Sequence, residues 1–365
     1  MKRVLFISQF LERAGTETFM MNVFRGINHQ HFQVDFLLYS QEETEYSREV
    51  EDAGCKVWRV TSRRESPFRW YKELYIFFKT HAHEYSAIHY NGNGLTAIFP
   101  FILAYIFRIP VRIAHSHNSS SSGFHNKLLH KLHRPIVKHI TTHHFACSSA
   151  AAKWFFGKSP SIIIKNGIDT ERFAFNPQIR QTVRASFNIN PTTTVIGHIG
   201  RFEPEKNHTF LLDIFAAYIQ LHPNALLLLV GIGRLMDDTK AKAQQLGIAE
   251  KILFLGERSD VNELLQAMDC FIMPSTFEGQ PFVLIEAQCA GLPCLVSDVV
   301  NIDICLTDNI RRYPLEKSSI DWAQETVRLL SDYHRKDGSK NVQQKGYSIM
   351  NTIEYLEKVY DNKHL

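Results

Sequence analysis

The sequence predicts an α/β protein built of two doubly wound, Rossmann-like domains facing a cleft. Short apolar runs rich in β-branched and aromatic residues alternate with amphipathic stretches of helical length along the whole chain. The strand runs are almost continuously apolar, as parallel strands are when helices cover both sheet faces. The alternation also occurs twice, in a chain of 365 residues. That length exceeds the roughly 250–300 residues at which a single core stops growing.

In the first series, residues 4–8, 33–38, 56–60, 87–90, 111–115 and 144–147 read as strands, and 161–165 closes the unit. The second series places strands at 194–199, 226–230, 252–255, 270–273 and 293–296. Helical patterns at 207–221, 236–247, 260–268 and 282–290 lie between them. Pro177 and Pro191 punctuate the junction. The domains are therefore expected at 1–175 and 176–345, and the last helix, in 346–365, fits neither series. In open sheets of this kind ligands sit outside the carboxyl ends of the strands, so the residues after each strand carry the chemistry.

Hydrophobic content of 44% and charged content of 21% exclude a largely disordered chain. The net charge of +4 is unevenly placed. Residues 85–168 contain no Asp or Glu but hold nine Lys/Arg and nine of the 18 histidines. That stretch carries +9 and the remainder −5, which marks it as tolerant of an anionic partner. No nucleic-acid module accompanies the charge, so nucleic acid is not expected. The amino terminus has only four apolar residues after Met1-Lys2-Arg3, too few for a signal peptide. The apolar run from Leu95 to Phe107 carries Pro100 and is shorter than the roughly 20 residues of a bilayer span. The six cysteines form no CxxC or His/Cys ligand pattern. A cytoplasmic protein is expected, with room for peripheral contact at the inner face of the membrane.

The strongest motif follows the strand at 270–273 and runs Pro274-Ser275-Thr276-Phe277-Glu278-Gly279-Gln280-Pro281-Phe282, continuing to Glu286. Pro281 sits where a helix begins, because its missing N–H costs nothing there. Glu278 then lies in the loop and Glu286 inside the helix. N–H groups at such a helix start hold phosphate, Gly279 permits close backbone approach, and a carboxylate deeper in accepts from a ribose diol. The second motif, Gly200-Arg201-Phe202-Glu203-Pro204-Glu205-Lys206-Asn207, leaves the strand at 194–199. Arg201 and Lys206 are suited to neutralising a diphosphate leaving group, the first by its fork and the second as a point charge.

Together with Val230-Gly231-x-Gly233 and Asn166-Gly167-Ile168-Asp169, these motifs resemble the family 4 retaining glycosyltransferases of the GT-B fold. Ala114-His115-Ser116-His117-Asn118 is similar to the branch acting in bacterial exopolysaccharide and capsule synthesis. The resemblance implies a hexosyl transfer from a nucleotide-sugar, typically a UDP-sugar, to a glycan or lipid-pyrophosphate-linked acceptor. It assigns Glu286 to the ribose, Arg201 and Lys206 to the diphosphate and Glu278 to sugar hydroxyls. It places Gly15, Gly231, Arg258, Gly279, Gln280, Pro281 and Phe282 along the donor and His117 on the donor sugar. His115 is a weaker candidate for that last role. It also implies that the final helix crosses back to the first domain. Ala14 stands where the family turn has glycine, and 292–337 lacks the glycine-rich turn the family often has there.

No Asp-x-Asp occurs, so the metal–diphosphate device of the other major glycosyltransferase fold is missing and no metal cofactor is expected. The acid-free wall around His117 supplies no nucleophilic carboxylate, which favours front-face transfer with retention over double displacement. A rival fingerprint, Gly92-Asn93-Gly94-x-x-Ala97, lacks the acid about 20 residues later that dinucleotide binding needs. A nucleotide-sugar epimerase on the same fold and an inactive sugar-nucleotide-binding protein are the other readings. Ser119–Ser122 reads as a mobile loop. Beyond it, Leu128, Leu129 and Leu132 repeat at helical spacing among Lys127, Lys131 and Arg134. Such a helix either packs its leucines on the core with cations outside, or meets an anionic membrane or acceptor.

Overall fold

The computed structural model describes residues 1–12, 14–118, 123–331 and 333–362, so the serine run lies outside the described residues. The chain divides into two compact units, Met1–Gly167 with the segment from Ile349 onward, and Ile168–Ser348.

The first unit holds seven strands: β1 Lys2–Ser8, β2 Phe32–Leu38, β3 Val57–Arg59, β4 Ala87–Gly92, β5 Val111–Ser116, β6 His143–Ala146 and β7 Ile162–Ile163. Its six helices before the junction are α1 Gly15–Gly26, α2 Glu45–Asp52, α3 Pro67–His81, α4 Phe99–Ile106, α5 Phe124–Ile140 and α6 Ser149–Phe156. The strands pair in the order β3-β2-β1-β4-β5-β6-β7 and every pairing is parallel. Val4, Leu5, Phe6 and Ile7 are fully buried, as expected of a strand covered on both faces. One face packs Trp70, Leu74 and Phe78 of α3 with Phe101 of α4 and Phe155 of α6.

The second unit holds β8 Thr194–Ile199, β9 Ala225–Val230, β10 Ile252–Phe254, β11 Cys270–Met273, β12 Cys294–Ser297 and β13 Ile310–Tyr313. Helix α7 Pro177–Ser186 precedes them, and between and after them lie α8 His208–Leu221, α9 Met236–Gln245, α10 Val261–Ala267, α11 Phe282–Cys289, α12 Ser319–Leu330 and α13 Ser339–Gln344. The order is β10-β9-β8-β11-β12-β13, again all parallel. Leu211, Phe215, Leu227, Ile272 and Trp322 anchor its core.

The last helix, α14 (Ile349–Tyr360), packs against α1 of the first unit. Its Leu356 and Tyr360 are fully buried. Glu357 accepts from the Asn28 backbone N–H at 2.8 Å, and Lys2 pairs with Asp361 at 3.0 Å. The helix thus returns to the first unit.

Two expectations need correction. The first unit ends at Gly167 and not at 175, because Ile168 donates its N–H to Tyr347 and bridges Ser348 in parallel. That tie carries residues 168–175 and 346–348 into the second unit. Strand β13 was not expected, because Ile-Arg-Arg-Tyr reads as polar. It is an edge strand with Arg311 and Arg312 exposed, which keeps the open edge from pairing with another chain. The six cysteines are free thiols, and no described helix is long and apolar enough to cross a membrane.

Candidate active site

Each sheet reverses its strand order beside its first strand, and such a switch point is where α/β sheets bind ligands. In the second unit it lies between β8 and β11. Lys206 leaves the β8 end and Glu278 the β11 end, and they meet: Lys206 Nζ lies 2.7 Å from Glu278 Oε1. Ser275 donates its hydroxyl to the same oxygen at 2.7 Å. The two loops are stitched by Thr276 N–H to Glu205 carbonyl, at 2.8 Å, and by Asn207 Nδ2 to Pro274 carbonyl, at 3.1 Å. Glu278 is therefore held through one oxygen, and its other oxygen accepts no hydrogen bond from the described residues. The ammonium of Lys206 has three hydrogens and spends one here. Arg201 is exposed on the same sheet edge.

Helix α11 starts at Phe282, with Pro281 as the residue before its first turn (φ −69, ψ 117). Glu286 lies one turn inside, 9% exposed, on a helix whose side chains are otherwise almost all buried. Burial pushes its carboxyl up to about 7, a shift that nearby Arg172 only partly opposes. No described residue donates a hydrogen bond to this carboxylate. A neutral-to-ionised transition near physiological pH in an unsatisfied buried acid is a mark of a functional group.

The neighbouring strand ends line up beside these groups. The Gly231 N–H donates to the Gly256 carbonyl at 2.8 Å, which places the Gly256–Arg258 segment next to the β9 end. Arg258 holds Asp260 through two bonds of 2.9 and 2.6 Å. Gln280 Nε2 donates to the Tyr347 hydroxyl at 3.1 Å, and Phe282 is buried. A Cβ on Gly279 or Gly15 would meet open space, so the chain's own packing demands glycine at neither. Gly231 differs. Its φ is +132, and an added Cβ would sit 2.2 Å from the Gly200 carbonyl oxygen. We expect Gly231→Ala to lose ~2–4 kcal/mol of stability in chemical denaturation. A variant as stable as the parent would show that the loop relaxes without disturbing Arg201.

In the first unit the switch point lies between β1 and β4. Ala14 is extended (φ −136, ψ 171), so the turn needs no positive φ and alanine serves there as well as glycine. His117, just beyond β5, is half-buried against Phe19 and His115, with ring centroids at 5.0 and 4.1 Å. Its Nε2 lies 2.9 Å from Asn91 Oδ1. Asn91 Nδ2 donates to the His89 carbonyl at 3.0 Å, which fixes the amide and turns its oxygen toward His117. Burial pushes the imidazole down to about 3, so it is neutral and carries its proton on Nε2. His117 therefore offers Nδ1 as an acceptor, suited to a sugar hydroxyl. The Gly92–Ala97 fingerprint opens no helix, since α4 begins only at Phe99.

Comparisons with known proteins show the family. Residues 179–346 match the model of the glycosyl transferases group 1, and residues 14–158 that of the glycosyl transferase 4-like domain. The Bacillus subtilis (strain 168) protein EpsF, named a glycosyltransferase, is 32% identical over 99% of this chain and 96% of its own. The chain belongs to the group 1 glycosyl transferases. An Escherichia coli UDP-Gal:alpha-D-GlcNAc-diphosphoundecaprenol alpha-1,3-galactosyltransferase is 32% identical over 54% of this chain and 52% of its own. In fold, the glycosyltransferase matches Anabaena Alr3699/HepE, solved with UDP and glucose. The TM-score is 0.79 at 18% identity, covering 99% of this chain and all of that one. The GT-B architecture expected from the motifs is thus the observed one.

Three contacts around the candidate residues, two in the first unit and one in the second, carry no signal in the sequence. Asn91 precedes the Gly92–Ala97 fingerprint and has no role in it, yet its Oδ1 faces His117 Nε2. Ser275 reads in sequence only as part of the Pro274–Glu278 frame, yet its hydroxyl holds Glu278. The third is a buried chain in which the Tyr360 hydroxyl lies 2.7 Å from His89 Nδ1, and His89 Nε2 lies 3.1 Å from His115 Nδ1. It joins α14 to the β5 end, so His115 belongs to a buried network and not to an open surface.

Of the two readings of the basic helix α5, the one with Leu128 and Leu132 packed on the core does not hold. Its inward face carries His130, His133 and Arg134, while Leu128 and Leu132 are 44% and 59% exposed. Arg134 donates to the Trp154 carbonyl at 2.7 Å and so anchors α5 to α6, in place of the free surface cation expected. Lys127 and Lys131 are exposed.

Proposed function

We propose that this glycosyltransferase moves a hexosyl group from a UDP-sugar to a glycan or lipid-pyrophosphate-linked acceptor in cell-surface polysaccharide synthesis, with retention and without a metal. The observation that carries the reading is the Lys206–Glu278–Ser275 cluster at the switch point of the second unit, with Glu286 beside it on α11. The names of the relatives support it: one transfers galactose from UDP-galactose to a diphosphoundecaprenol-linked sugar, and one neighbour was solved with UDP and glucose.

In this reading Glu286 accepts from the ribose diol, and Arg201 with the two remaining Lys206 hydrogens meets the diphosphate. The free oxygen of Glu278 accepts from a sugar hydroxyl. Charge grows on the leaving diphosphate as the glycosidic bond breaks, so cations fixed before the reaction stabilise the transition state more than the ground state. In this reading the leaving phosphate takes the acceptor proton on the same face.

A thermal-shift screen of nucleotide-sugars in the presence of a metal chelator tests the donor. A UDP-sugar at 100 times its dissociation constant adds about 2.7 kcal/mol to stability, a readily measured rise in midpoint. UDP release with acceptor present then separates transfer from epimerisation and from mere binding. If no nucleotide-sugar moves the midpoint, the donor assignment falls.

A further inference from the structure

The side chains behind His117 share one face of the first sheet. Side chains two apart on a strand point the same way, and Asn91 stands opposite His115 in the β4–β5 register. His89, Asn91 and His115 therefore face one side together. Two of them support His117. Its Nε2 lies 2.9 Å from Asn91 Oδ1, and its ring packs on His115 with centroids 4.1 Å apart.

Both supports lead back to His89. Its carbonyl accepts from Asn91 Nδ2 at 3.0 Å, and its Nε2 lies 3.1 Å from His115 Nδ1. The two imidazoles are nearly parallel, 18° apart. The other ring nitrogen of His89 lies 2.7 Å from the Tyr360 hydroxyl of α14. His89, His115 and Tyr360 are fully buried, and burial holds both imidazoles neutral.

A row of three such groups admits two proton arrangements. In one, the phenol donates to His89 Nδ1 and His89 Nε2–H donates to His115 Nδ1. This leaves over the His115 Nε2–H, and His115 Nε2 indeed has no partner among the described residues. The reverse arrangement strands the phenol O–H, the strongest donor of the row, together with the basic His115 Nε2. Buried groups without partners cost about 1–3 kcal/mol each, so the first arrangement prevails. The Tyr360 hydroxyl thus selects the tautomers of both histidines.

We propose that Tyr360 and His89 are positioning residues for His117. Through the Asn91 amide and the His115 ring they hold its imidazole with Nδ1 free for a sugar hydroxyl. The last helix of the chain then does more than cover the first sheet: its terminal tyrosine sets a ring at the β5 end. The proposal rests on the transferase reading, with a sugar as the partner of His117. A purely structural Tyr360 would need only its volume, which phenylalanine supplies.

Tyr360→Phe is therefore the test. Acceptor-dependent UDP release should fall about 5–20-fold in kcat, because a small misplacement of a contacting group is costly. UDP affinity should stay within about twofold, which also shows that the variant is folded. His117→Ala should lose more, and adding Tyr360→Phe to it should cost nothing further, since both changes act through one ring. Long-range nitrogen spectra of the histidine-labelled full chain read the tautomers without any substrate. His89 and His115 should carry their protons on Nε2 in the parent, and His89 should become a mixture in Tyr360→Phe. A parent with His89 protonated on Nδ1, a Tyr360→Phe chain as fast as the parent, or losses that multiply with those of His117→Ala would each overturn the proposal. A His117→Ala chain as fast as the parent would overturn the sugar contact, and the positioning role with it. The spectra tell that failure from the others, since the tautomer shift would persist.

Discussion

Lys206→Ala should lower the rate of UDP release in the presence of acceptor by about 10²–10³-fold, with a smaller effect on UDP affinity. The asymmetry follows from where the charge appears. A bound nucleotide-sugar already carries its diphosphate charge, and water and Arg201 screen part of it. When the glycosidic bond breaks, a further negative charge develops on the leaving oxygen, and only a cation already in place meets it without reorganisation. Lys206 is in place because Glu278 holds it at 2.7 Å and Ser275 fixes Glu278. Glu278→Gln keeps the shape and an oxygen for both donors but removes the charge that orients the ammonium. It should therefore cost part of the same rate, and the double variant should lose less than the product of the two single losses. Strictly multiplicative losses in kcat/KM, or a Lys206→Ala variant within about threefold of the parent, would remove the pair from the chemistry.

Glu286→Gln should separate binding from stability, in opposite directions, across neutral pH. The folded carboxyl titrates at about 7, above its ordinary 4.5, because it is buried without a hydrogen-bond donor. The folded state thus holds a proton that the unfolded chain releases from about pH 4.5 upward. Stability is lost as pH rises from that value through about 7. The shift of some 2–3 pH units corresponds to about 3 kcal/mol at pH 8, so the glutamine variant should be more stable than the parent there. At pH 5 the two should be nearly alike. Nucleotide affinity should run the other way. An ionised carboxylate is the stronger acceptor for a ribose diol, so UDP binding by the parent should tighten as pH rises through about 7. The glutamine variant should bind UDP about 10–100-fold more weakly at pH 8 and show no such step. Calorimetric titration at pH 5, 7 and 8 reads both curves. A variant that keeps the pH step would move the titrating group elsewhere.

Much of the site was legible because strands in a parallel sheet all deliver their next residues to one edge. Given the strand runs at 194–199 and 270–273, Arg201, Lys206 and Glu278 had to emerge on the same side, and they do. Pro281 marked the start of the helix bearing Glu286 for a local reason: a missing N–H costs least at a helix's beginning. The acid-free stretch at 85–168 was visible as a simple count. Less accessible were contacts whose partners lie far apart in the chain. Asn91 and His117 are 26 positions apart, and His89 and Tyr360 are 271 apart. No pattern in either segment names the other. Strand β13 was hidden because an edge strand keeps its charges exposed and loses the apolar run that marks a buried one.

Helix α5 shows most directly where the two kinds of information divide. Its helical spacing, its cations and its apolar stripe are local properties, set by residue type and a period of 3.6, and the sequence by itself determined them. Which side faces the core was decided elsewhere. The roll depends on whether a backbone carbonyl from residue 95 or 154 waits for a histidine or an arginine, and the fold alone places those groups. Buried polar groups must be paired, and an unpaired one costs more than a leucine left in water. The apolar spacing alone points the leucines inward. The tertiary hydrogen bonds turn them outward.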